Sequence, residues 1–428
     1  MNKTLLLGAS IALASLTGCN STPTKDVSEQ TVLDNYSDIA FAVYSDSLET
    51  AKALKSATDA LVANPSEETL QNAKDAWKAA RVPYQQSEVF RFGNSVVDDW
   101  EGDLNAWPLD EGLIDYVAAS YNRNASNLEE GEEVDQSAIY SVITNNSLDI
   151  DNDGSVDTAE ISASLIASLH ELRGGEANVS RGYHAVEFLL WGQDLNGTNA
   201  GAGNRPFTDY VNGEACTNGT VKAAAEICVR RGQYLTTAMD MMIEDLESMV
   251  AEWNPEADAN YRATLVTEGQ TGIKKVLTGI GELAGGELAG ERMRVALVAN
   301  DPEDEHDCFS DNTHYSHYYD IKGIQNVYLG RYVRVNGDVV EGPSVNSLIA
   351  SKNTDVAKKL EAQIETARIA VEGLVTSAES ETNPQTFDQL IASGNKEGNK
   401  IVQDSINSLL LVTEVTEAAA KEIGITEL

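Results

Sequence analysis

Apolar residues recur at alternating steps of three and four along most of this 428-residue chain. One such stripe contains Leu33, Tyr36, Ala40 and Val43. Steps of three and four place side chains on one face of an α-helix, whereas the period of two that is typical of strands appears only briefly, near residues 328–340. The other helical stripes lie at residues 66–92, 161–173, 221–250, 258–283, 360–374 and 400–421. The pattern predicts an all-α fold built from helical bundles.

A segment rich in glycine, asparagine and proline, residues 193–219, separates two helix-rich halves of the chain. These residue types interrupt helices and are typical of connecting segments. We therefore predict an N-terminal helical domain at residues 32–205 and a C-terminal helical domain at residues 206–428. Each half also contains a long irregular acidic stretch, at residues 91–117 in the first and 300–320 in the second.

The N-terminus has the form of a secretory signal peptide. Residues 1–18 contain one lysine, an apolar run too short to cross a bilayer, and small residues at the end. Residues 16–19, Leu-Thr-Gly-Cys, resemble the lipobox of bacterial lipoproteins, so we expect acylation of Cys19 and a lipidated tether at residues 19–31. An ordinary signal peptide with a chance cysteine is the alternative. By the lipoprotein sorting pattern, Asn20 favours the outer membrane, where the lipid alone would hold a protein that faces the periplasm or the cell surface.

The chain carries a formal charge of −38. Its negative field repels phosphate backbones, which argues against nucleic acid as a partner, and it attracts cations. The same excess of acids would also serve solubility in a saline habitat, so the charge identifies no site by itself.

Two cysteines of the mature chain lie close enough in sequence to pair. Cys216 and Cys228 are twelve residues apart, a spacing that readily closes a local disulfide in an oxidising periplasm, and Cys308 would stay unpaired. Two free, buried thiols are the alternative. Either state gives these cysteines a structural role.

The segment RGYHAVEFLLWGQD, residues 181–194, places a histidine and a glutamate three residues apart on a predicted helix. His184 and Glu187 would share one face and could put an imidazole nitrogen and a carboxylate on one metal ion. The helix is apolar on its other sides, and a buried carboxylate is costly unless it is paired or bound to metal. A salt bridge from Arg181 or Arg81 to Glu187 is the alternative.

Four blocks of the chain share their pattern with one protein family. They are GYHAVE (182–187) with the following FLLWGQD, GERMRVAL (290–297), EDEHDCFSDNTH (303–314) and AWPLDEGLIDYV (106–117). The blocks resemble those of the imelysin family, which has a GxHxxE motif and contains imelysin peptidases and iron-regulated protein A-like bacterial lipoproteins. The resemblance spans most of the mature chain. It implies two all-helical domains, with the histidine and the glutamate of GxHxxE lining a cleft between the bundles.

The resemblance leaves the activity open. The chain lacks H-E-x-x-H, in which two histidines hold zinc and a glutamate activates water, and it lacks the G-x-S-x-G nucleophile turn. Relatives in bacterial iron uptake use a similar H-x-x-E, and mixed imidazole and carboxylate ligands suit iron, zinc or copper. We therefore favour capture of a metal ion or chelate in iron acquisition, with a membrane iron transporter or receptor as partner. A metal-dependent imelysin-type peptidase and a non-enzymatic adhesion or scaffold protein with structural calcium are the alternatives.

Two ligands leave the coordination of a metal ion incomplete, so further ligands must come from elsewhere in the chain. Asp311 and His314 repeat the three-residue spacing of the motif, and four of the five histidines lie either in GxHxxE or at residues 300–320. For any single acid, a solvated loop or a helix cap is the alternative. The candidates are Glu88, Asp110, Glu111, Asp115, Glu305, His306, Asp311 and His314.

A separate motif, DIDNDGSVDTAE at residues 149–160, has the spacing of an EF-hand calcium loop. Calcium requires several oxygen ligands, Gly154 permits the sharp turn, and Glu160 can bind in bidentate fashion. An amphipathic stretch follows the loop, a weaker one precedes it, and the sequence has no second loop. We therefore expect a structural calcium, with an Asp-rich turn as the alternative. The predicted ligands are Asp149, Asp151, Asp153, Asp157 and Glu160, with the backbone carbonyl of Ser155.

Overall fold

The computed structural model describes residues 27–121, 141–151 and 153–428. Helices make up most of this part of the chain, and the strands form two small sheets, which confirms the predicted all-α fold. The predicted signal peptide, Cys19 and most of the predicted tether lie outside the described residues. Among the helices that are described, none combines the length and the apolar character that a membrane span requires.

The described residues contain fifteen α-helices and four short strands. The helices are α1 (Glu29–Ala63), α2 (Glu67–Ser87), α3 (Ser95–Asn105), α4 (Glu111–Ile114), α5 (Ala163–Leu169), α6 (Gly182–Trp191), α7 (Ala225–Trp253), α8 (Tyr261–Leu265), α9 (Gln270–Gly281), α10 (Val295–Ala299), α11 (Thr313–Leu329), α12 (Val345–Ala350), α13 (Thr354–Ala378), α14 (Phe387–Ile391) and α15 (Lys396–Glu422). A π-helix, Glu282–Arg294, joins α9 to α10. The antiparallel strand pairs are β1 (Thr217–Asn218) with β2 (Val221–Lys222), and β3 (Arg331–Val333) with β4 (Val339–Glu341).

Helix α1 begins at a residue that caps it. The Ser28 hydroxyl accepts the Thr31 N–H, and the Thr31 hydroxyl accepts the Ser28 N–H in return. Helix α2 starts with the same reciprocal arrangement between Ser66 and Thr69, and it packs along α1. Apolar side chains at helical spacing are buried along both helices. The pair therefore forms a long support for the rest of the fold.

The described residues form two hydrophobic cores. The first core contains most of the buried side chains of the helices from α9 onward, together with the first half of α1, including Val43. The second core contains the second half of α1, including Leu54, with α2, α6 and most of α7. Helix α7 belongs to both cores, because Leu246 lies in the second core and Trp253, at the end of the helix, lies in the first. The cores are interleaved along the sequence, and a domain boundary between residues 205 and 206 stays a prediction.

The acidic stretch at residues 91–117 is not irregular throughout, contrary to the prediction. Helices α3 and α4 lie within it. In α3, Val97 and Leu104 are buried, whereas Asp98 and Asp99 are exposed. The two apolar side chains are seven residues apart and share one helical face, so a single buried face is enough to hold this acidic segment in a helix.

Two other local predictions have different outcomes. The brief strand pattern near residues 328–340 corresponds to β3 and β4. The helix predicted at 161–173 is shorter than expected, because α5 ends at Leu169. Glu171 and Arg173 adopt φ angles of +50° and +60°, which are incompatible with a continuing right-handed helix.

Cys216 and Cys228 form a disulfide bond. The bond joins the residue before β1 to the first turn of α7. Cys308 is free and buried in the second core.

Candidate functional site

Helix α6 positions the histidine and the glutamate of GxHxxE. It begins at Gly182, whose φ of +83° is readily adopted only by glycine, and a Cβ at this position would overlap the Leu104 carbonyl oxygen. All ten residues of the helix are buried, so His184 and Glu187 lie in the protein interior. The motif glycine therefore permits the close approach that buries the two polar side chains.

His184 and Glu187 bind each other. His184 Nδ1 lies 3.1 Å from Glu187 Oε2, and Glu187 Oε1 accepts the Ser310 N–H at 2.9 Å. His184 Nε2 is buried and has no hydrogen-bond partner within the described part of the chain. Metal-binding histidines usually donate one ring N–H to a carboxylate and bind the ion through the other nitrogen. The geometry therefore favours Nε2 as the ligand atom and Glu187 as the group that orients the ring.

Two further side chains converge on His184 from the segment before α11. His184, His306 and Asp307 each offer a ligand atom within 4.8 Å of the other two, and all three side chains are buried. The rings of His184 and His306 have centroids 4.7 Å apart, and Asp307 Oδ1 lies 4.0 Å from His184 Nδ1, the nitrogen that Glu187 also contacts. His306 was predicted from the sequence and Asp307 was not, although Asp307 directly follows it. We refer to His184, Glu187, His306 and Asp307 as the histidine centre.

Arg81 neutralises Asp307 inside the protein. Its Nη2 lies 2.9 Å from Asp307 Oδ1, and its Nη1 donates to Asn105 Oδ1 at 2.6 Å. Asp307 Oδ2 accepts hydrogen bonds from the Asn312 amide and the Ser316 hydroxyl. A metal ion at this carboxylate would therefore share it with Arg81.

Burial controls the protonation of the histidine centre. It lowers the pKa of His184 and that of His306, and nearby arginine side chains add to the effect. It raises the pKa of Glu187, and the negative charge of Asp307 is the next cause. Burial alone would also raise the pKa of Asp307, but Arg81 and His184 outweigh it and lower this pKa overall. Both imidazoles are therefore neutral at neutral pH, which is the form that binds metal ions.

Two more histidines lie at the start of α11. His317 is buried, and neither of its ring nitrogens has a hydrogen-bond partner among the described residues. Its ring centroid lies 6.5 Å from that of His306 and 5.1 Å from that of Phe387 in α14. His314, a predicted ligand, is buried but does not belong to the histidine centre. His317 was not predicted as a site residue, although it follows His314 at the three-residue spacing of the motif.

Two predicted ligands form buried salt bridges and do not belong to the histidine centre. Glu88 Oε2 lies 2.6 Å from Arg292 Nη2. Asp115 Oδ2 lies 2.7 Å from Arg205 Nη1 and 2.6 Å from Arg231 Nε, and all three side chains are fully buried. Burial alone would raise the pKa of Asp115, but the two arginines outweigh it and lower this pKa. The structure therefore gives Glu88 and Asp115 partners other than a metal ion.

The other acids of the first acidic stretch also contact protein groups. Asp110 Oδ1 accepts the Gly112 N–H at the start of α4 and the Tyr121 hydroxyl. Glu111 Oε1 lies 3.4 Å from the Gln193 amide. Neither acid belongs to the group of ligand atoms at the histidine centre.

Glu305 and Asp311, the remaining predicted acids, lie in a separate cluster. Each offers a carboxylate oxygen within 4.8 Å of the other and of Asp388 in α14. All three side chains are buried. The acids predicted from sequence are therefore divided among several places in the fold.

The predicted calcium loop is partly assembled. Three of its carboxylates offer oxygens within 4.8 Å of one another, those of Asp149, Asp151 and Asp157. Asp149 Oδ2 accepts the Gly154 N–H, and Gly154 has the φ of +92° that the turn requires. Asp153 and Glu160 lie outside this group of three. Residues 141–148 form turns and irregular backbone, where an EF-hand would have its entering helix.

Asp151→Asn is expected to raise the dissociation constant for Ca²⁺ about tenfold or more, because it removes one charged oxygen ligand. Glu160→Gln should have the smaller effect, since Glu160 lies apart from the three grouped carboxylates. Calorimetric titration of the metal-free protein measures both constants. A larger loss in Glu160→Gln than in Asp151→Asn would contradict the described geometry and indicate closure of the loop as an EF-hand.

The fold and the site define an all-α protein with two hydrophobic cores and a buried centre of histidines and carboxylates. The family model for imelysin, a peptidase M75 family, matches residues 40–415. The chain therefore belongs to the imelysin family. The four blocks that carried the resemblance all lie within the matched residues, so the family expectation is confirmed.

Individual relatives agree with this family. The chain is 21% identical to iron-regulated protein A of Synechococcus elongatus over 316 residues, which cover 72% of this chain and 65% of that relative. A Parabacteroides distasonis protein described as an iron-regulated protein A precursor has a crystal structure similar to this chain, with a TM-score of 0.56 and 17% identity over 93% of this chain and 97% of that one. An imelysin-like protein from Psychrobacter arcticus gives a TM-score of 0.58 and 13% identity over 94% of this chain and 99% of that one. At these identities the two structures establish the fold alone.

Proposed function

We propose that the protein captures a transition-metal ion, alone or as a small chelate, at the histidine centre, and that this capture serves iron acquisition. The observation that carries the proposal is the buried His184 Nε2, which has no hydrogen-bond partner within the described residues. A buried polar atom without a partner is unfavourable unless a ligand completes it. The neighbouring His306 and Asp307 are suitable for completing a metal site.

The donor set indicates which ions fit. Imidazole nitrogens with a carboxylate oxygen suit iron, zinc and copper. His184 and His306 would supply nitrogen ligands, and Asp307 would supply an oxygen. Glu187 would act through its hydrogen bond to His184 Nδ1, which fixes the tautomer and increases the basicity of the ring. Direct ligation by Glu187, which the sequence predicts, would require it to leave His184 or the Ser310 N–H.

A cavity next to the histidine centre supports access for the ion. It has a volume of about 260 Å³ and is lined in part by Arg81, Asn312 and Ser316. These side chains are the same ones that hold Asp307. Because liquid water occupies about 30 Å³ per molecule, a cavity of this size admits a hydrated ion or a small chelate. We infer that the ion reaches Asp307 from this side.

The names of the relatives favour iron among the possible metals. Two similar proteins are called iron-regulated protein A or its precursor. With a lipid on Cys19, this protein would be held at the outer membrane, facing the periplasm or the cell surface. It would then deliver the metal ion or chelate to a membrane iron transporter or receptor.

The main alternative is a metal-dependent peptidase of the imelysin type, in line with the peptidase label of the family. In that reaction a peptide bond must reach the water that the metal activates. His184, Glu187 and Asp307 are each 0% exposed, so the centre is more accessible to an ion than to a peptide. A scaffold protein with calcium alone would leave the open nitrogen of His184 without a role. Burial therefore favours metal capture.

Metal analysis of the protein purified without chelator tests the proposal. We expect about one equivalent of iron, zinc or copper per chain, or uptake of that amount when the metal-free protein is titrated. A protein that neither carries nor takes up a transition metal would refute metal capture. Metal-dependent peptide cleavage that disappears in His184→Ala would establish the peptidase instead, and iron-responsive expression would support the role in acquisition.

Glu187→Gln is expected to weaken transition-metal binding about 10–100-fold without abolishing it. The amide keeps the size of the side chain but loses the negative charge that supports the His184 ring. Competition against a chromophoric chelator measures the affinity. Glu176→Gln, the same change at an exposed position, is the control and should leave the affinity unchanged. A loss as complete as that of a ligand variant would show that Glu187 binds the ion directly.

A further inference from the structure

Three carboxylates meet in the interior beside the segment that carries His306 and Asp307. Glu305 and Asp311 belong to the segment before α11, and Asp388 belongs to α14. Their side chains are 1%, 8% and 1% exposed, and each offers an oxygen within 4.8 Å of the other two. Buried carboxylates this close repel one another strongly unless a proton or a cation lies between them.

One oxygen of each carboxylate has no hydrogen-bond partner within the described ranges of the chain. These atoms are Glu305 Oε1, Asp311 Oδ1 and Asp388 Oδ2. The other oxygen of Asp388 accepts the Thr386 hydroxyl at 2.5 Å, beside the first turn of α14. The carboxylate is therefore fixed by one oxygen while the second remains open. Each of the three grouped carboxylates thus has an oxygen without a partner among the described residues, which indicates a missing ligand.

The electrostatics of the cluster agree with this geometry. Burial and Asp388 raise the pKa of Asp311 to about 8, and burial raises that of Asp388 to about 6. The positive charge of Lys78 also acts on Asp311, but more weakly than burial and the neighbouring acids.

We propose that Glu305, Asp311 and Asp388 bind a calcium ion, separate from the transition metal of the histidine centre. The donor set contains only carboxylate oxygens, which suit hard cations rather than iron, zinc or copper in a nitrogen site. Calcium takes oxygen ligands at about 2.3–2.6 Å, so ligands on opposite sides of one ion lie about 4.6–5.2 Å apart. The spacing of the three oxygens, within 4.8 Å, fits around such an ion.

The bound ion would connect two parts of the fold. Glu305 and Asp311 enclose the segment that contains His306, Asp307 and Ser310, which are all parts or partners of the histidine centre. Asp388 lies in α14, whose Phe387 and Leu390 belong to the first core. Calcium would therefore hold the metal-binding segment against the first core. It would position the ligands of the histidine centre without contacting the transition metal.

Calcium titration of the purified, metal-free protein tests this site. An Asp151→Asn background weakens the separate loop at residues 149–160, and a further Asp388→Asn substitution in that background then identifies the calcium that the three carboxylates bind. In this background we expect about one Ca²⁺ per chain with a dissociation constant below about 1 mM. Adding Asp388→Asn should raise the constant about tenfold or more. Glu397→Gln, which removes an exposed acid from α15, should leave it unchanged.

Thermal unfolding is a second test, in which the unfolding temperature is measured with and without Ca²⁺. In chelator, Asp388→Asn should unfold at the same temperature as the unsubstituted protein or higher, because it removes a repulsive buried charge. With Ca²⁺ added, the unsubstituted protein should gain stability by mass action and Asp388→Asn should gain less.

Two results of the titration would overturn the proposal. They are no calcium binding at about 1 mM in the Asp151→Asn background, or equal affinity with and without Asp388→Asn.

Discussion

His184→Gln is expected to abolish stoichiometric binding of a transition metal, with an affinity loss of about a hundredfold or more. The substitution removes the ring nitrogen that is buried and has no hydrogen-bond partner within the described residues. Glutamine is polar and of similar length, so its amide can still contact Glu187 and the helix should persist. Titration of the metal-free protein with Zn²⁺, which has no redox chemistry, measures the affinity, and anaerobic Fe²⁺ titration extends the result to iron.

His170→Gln is the matched control for this experiment. His170 lies at the end of α5, outside the histidine centre, and the charges that act on its ring are those of Asp103, Glu171 and Arg181. Its replacement should leave metal affinity unchanged. If His184→Gln bound metal as tightly as the unsubstituted protein, His184 would be excluded as a ligand. Circular dichroism of both variants separates loss of the ligand from loss of the fold.

Asp115→Asn is expected to lower the free energy of unfolding by about 3–5 kcal/mol, the usual effect of breaking a buried ion pair from one side. Arg205 would keep Asp209 at 3.1 Å. Arg231 would keep only neutral partners, which include the Asp209 carbonyl and the Asn218 side chain. A buried guanidinium without a counter-charge is strongly unfavourable. Urea unfolding followed by fluorescence measures the change.

The same variant distinguishes charge pairing from metal binding at Asp115. We expect Asp115→Asn to keep its transition-metal stoichiometry under conditions in which it is folded. Asp404→Asn, which breaks an exposed pair with Lys400, is the control and should change the stability by about 0–1 kcal/mol. Loss of metal with unchanged stability in Asp115→Asn would reverse our assignment and return Asp115 to the list of ligands.

Part of the histidine centre could be predicted from local sequence. The three-residue spacing of His184 and Glu187 places them together on any helix, and the apolar residues around them predict burial. Their actual contact, a hydrogen bond through Nδ1, depends on the side-chain rotamers that the surrounding packing allows. His306 was found because histidines concentrate in its segment. Asp307 was overlooked because many acids in that segment are equally plausible from sequence.

The partners of the arginines could not be predicted. Arg81 was considered a partner of Glu187, and the structure pairs it with Asp307, 226 residues away. Arg181, the other arginine considered for Glu187, pairs with Asp103 and Asp245. Each pairing joins residues that are distant in sequence, and a carboxylate carries no local signal that identifies its arginine.

The sequence predicted most of the helices, because the spacing of apolar side chains is a local property, but α3, α4 and the start of α11 lie in stretches that were predicted to be irregular. It also determined the family and the presence of a histidine and glutamate pair on a buried helix. The packing of the whole chain is what brings side chains of α6, the segment before α11 and α14 to neighbouring places. It also decided that Glu88 and Asp115 pair with arginines while Glu305 and Asp311 meet Asp388. These outcomes depend on how helices far apart in the chain pack around two interleaved cores, and helix periodicity contains no information about that packing.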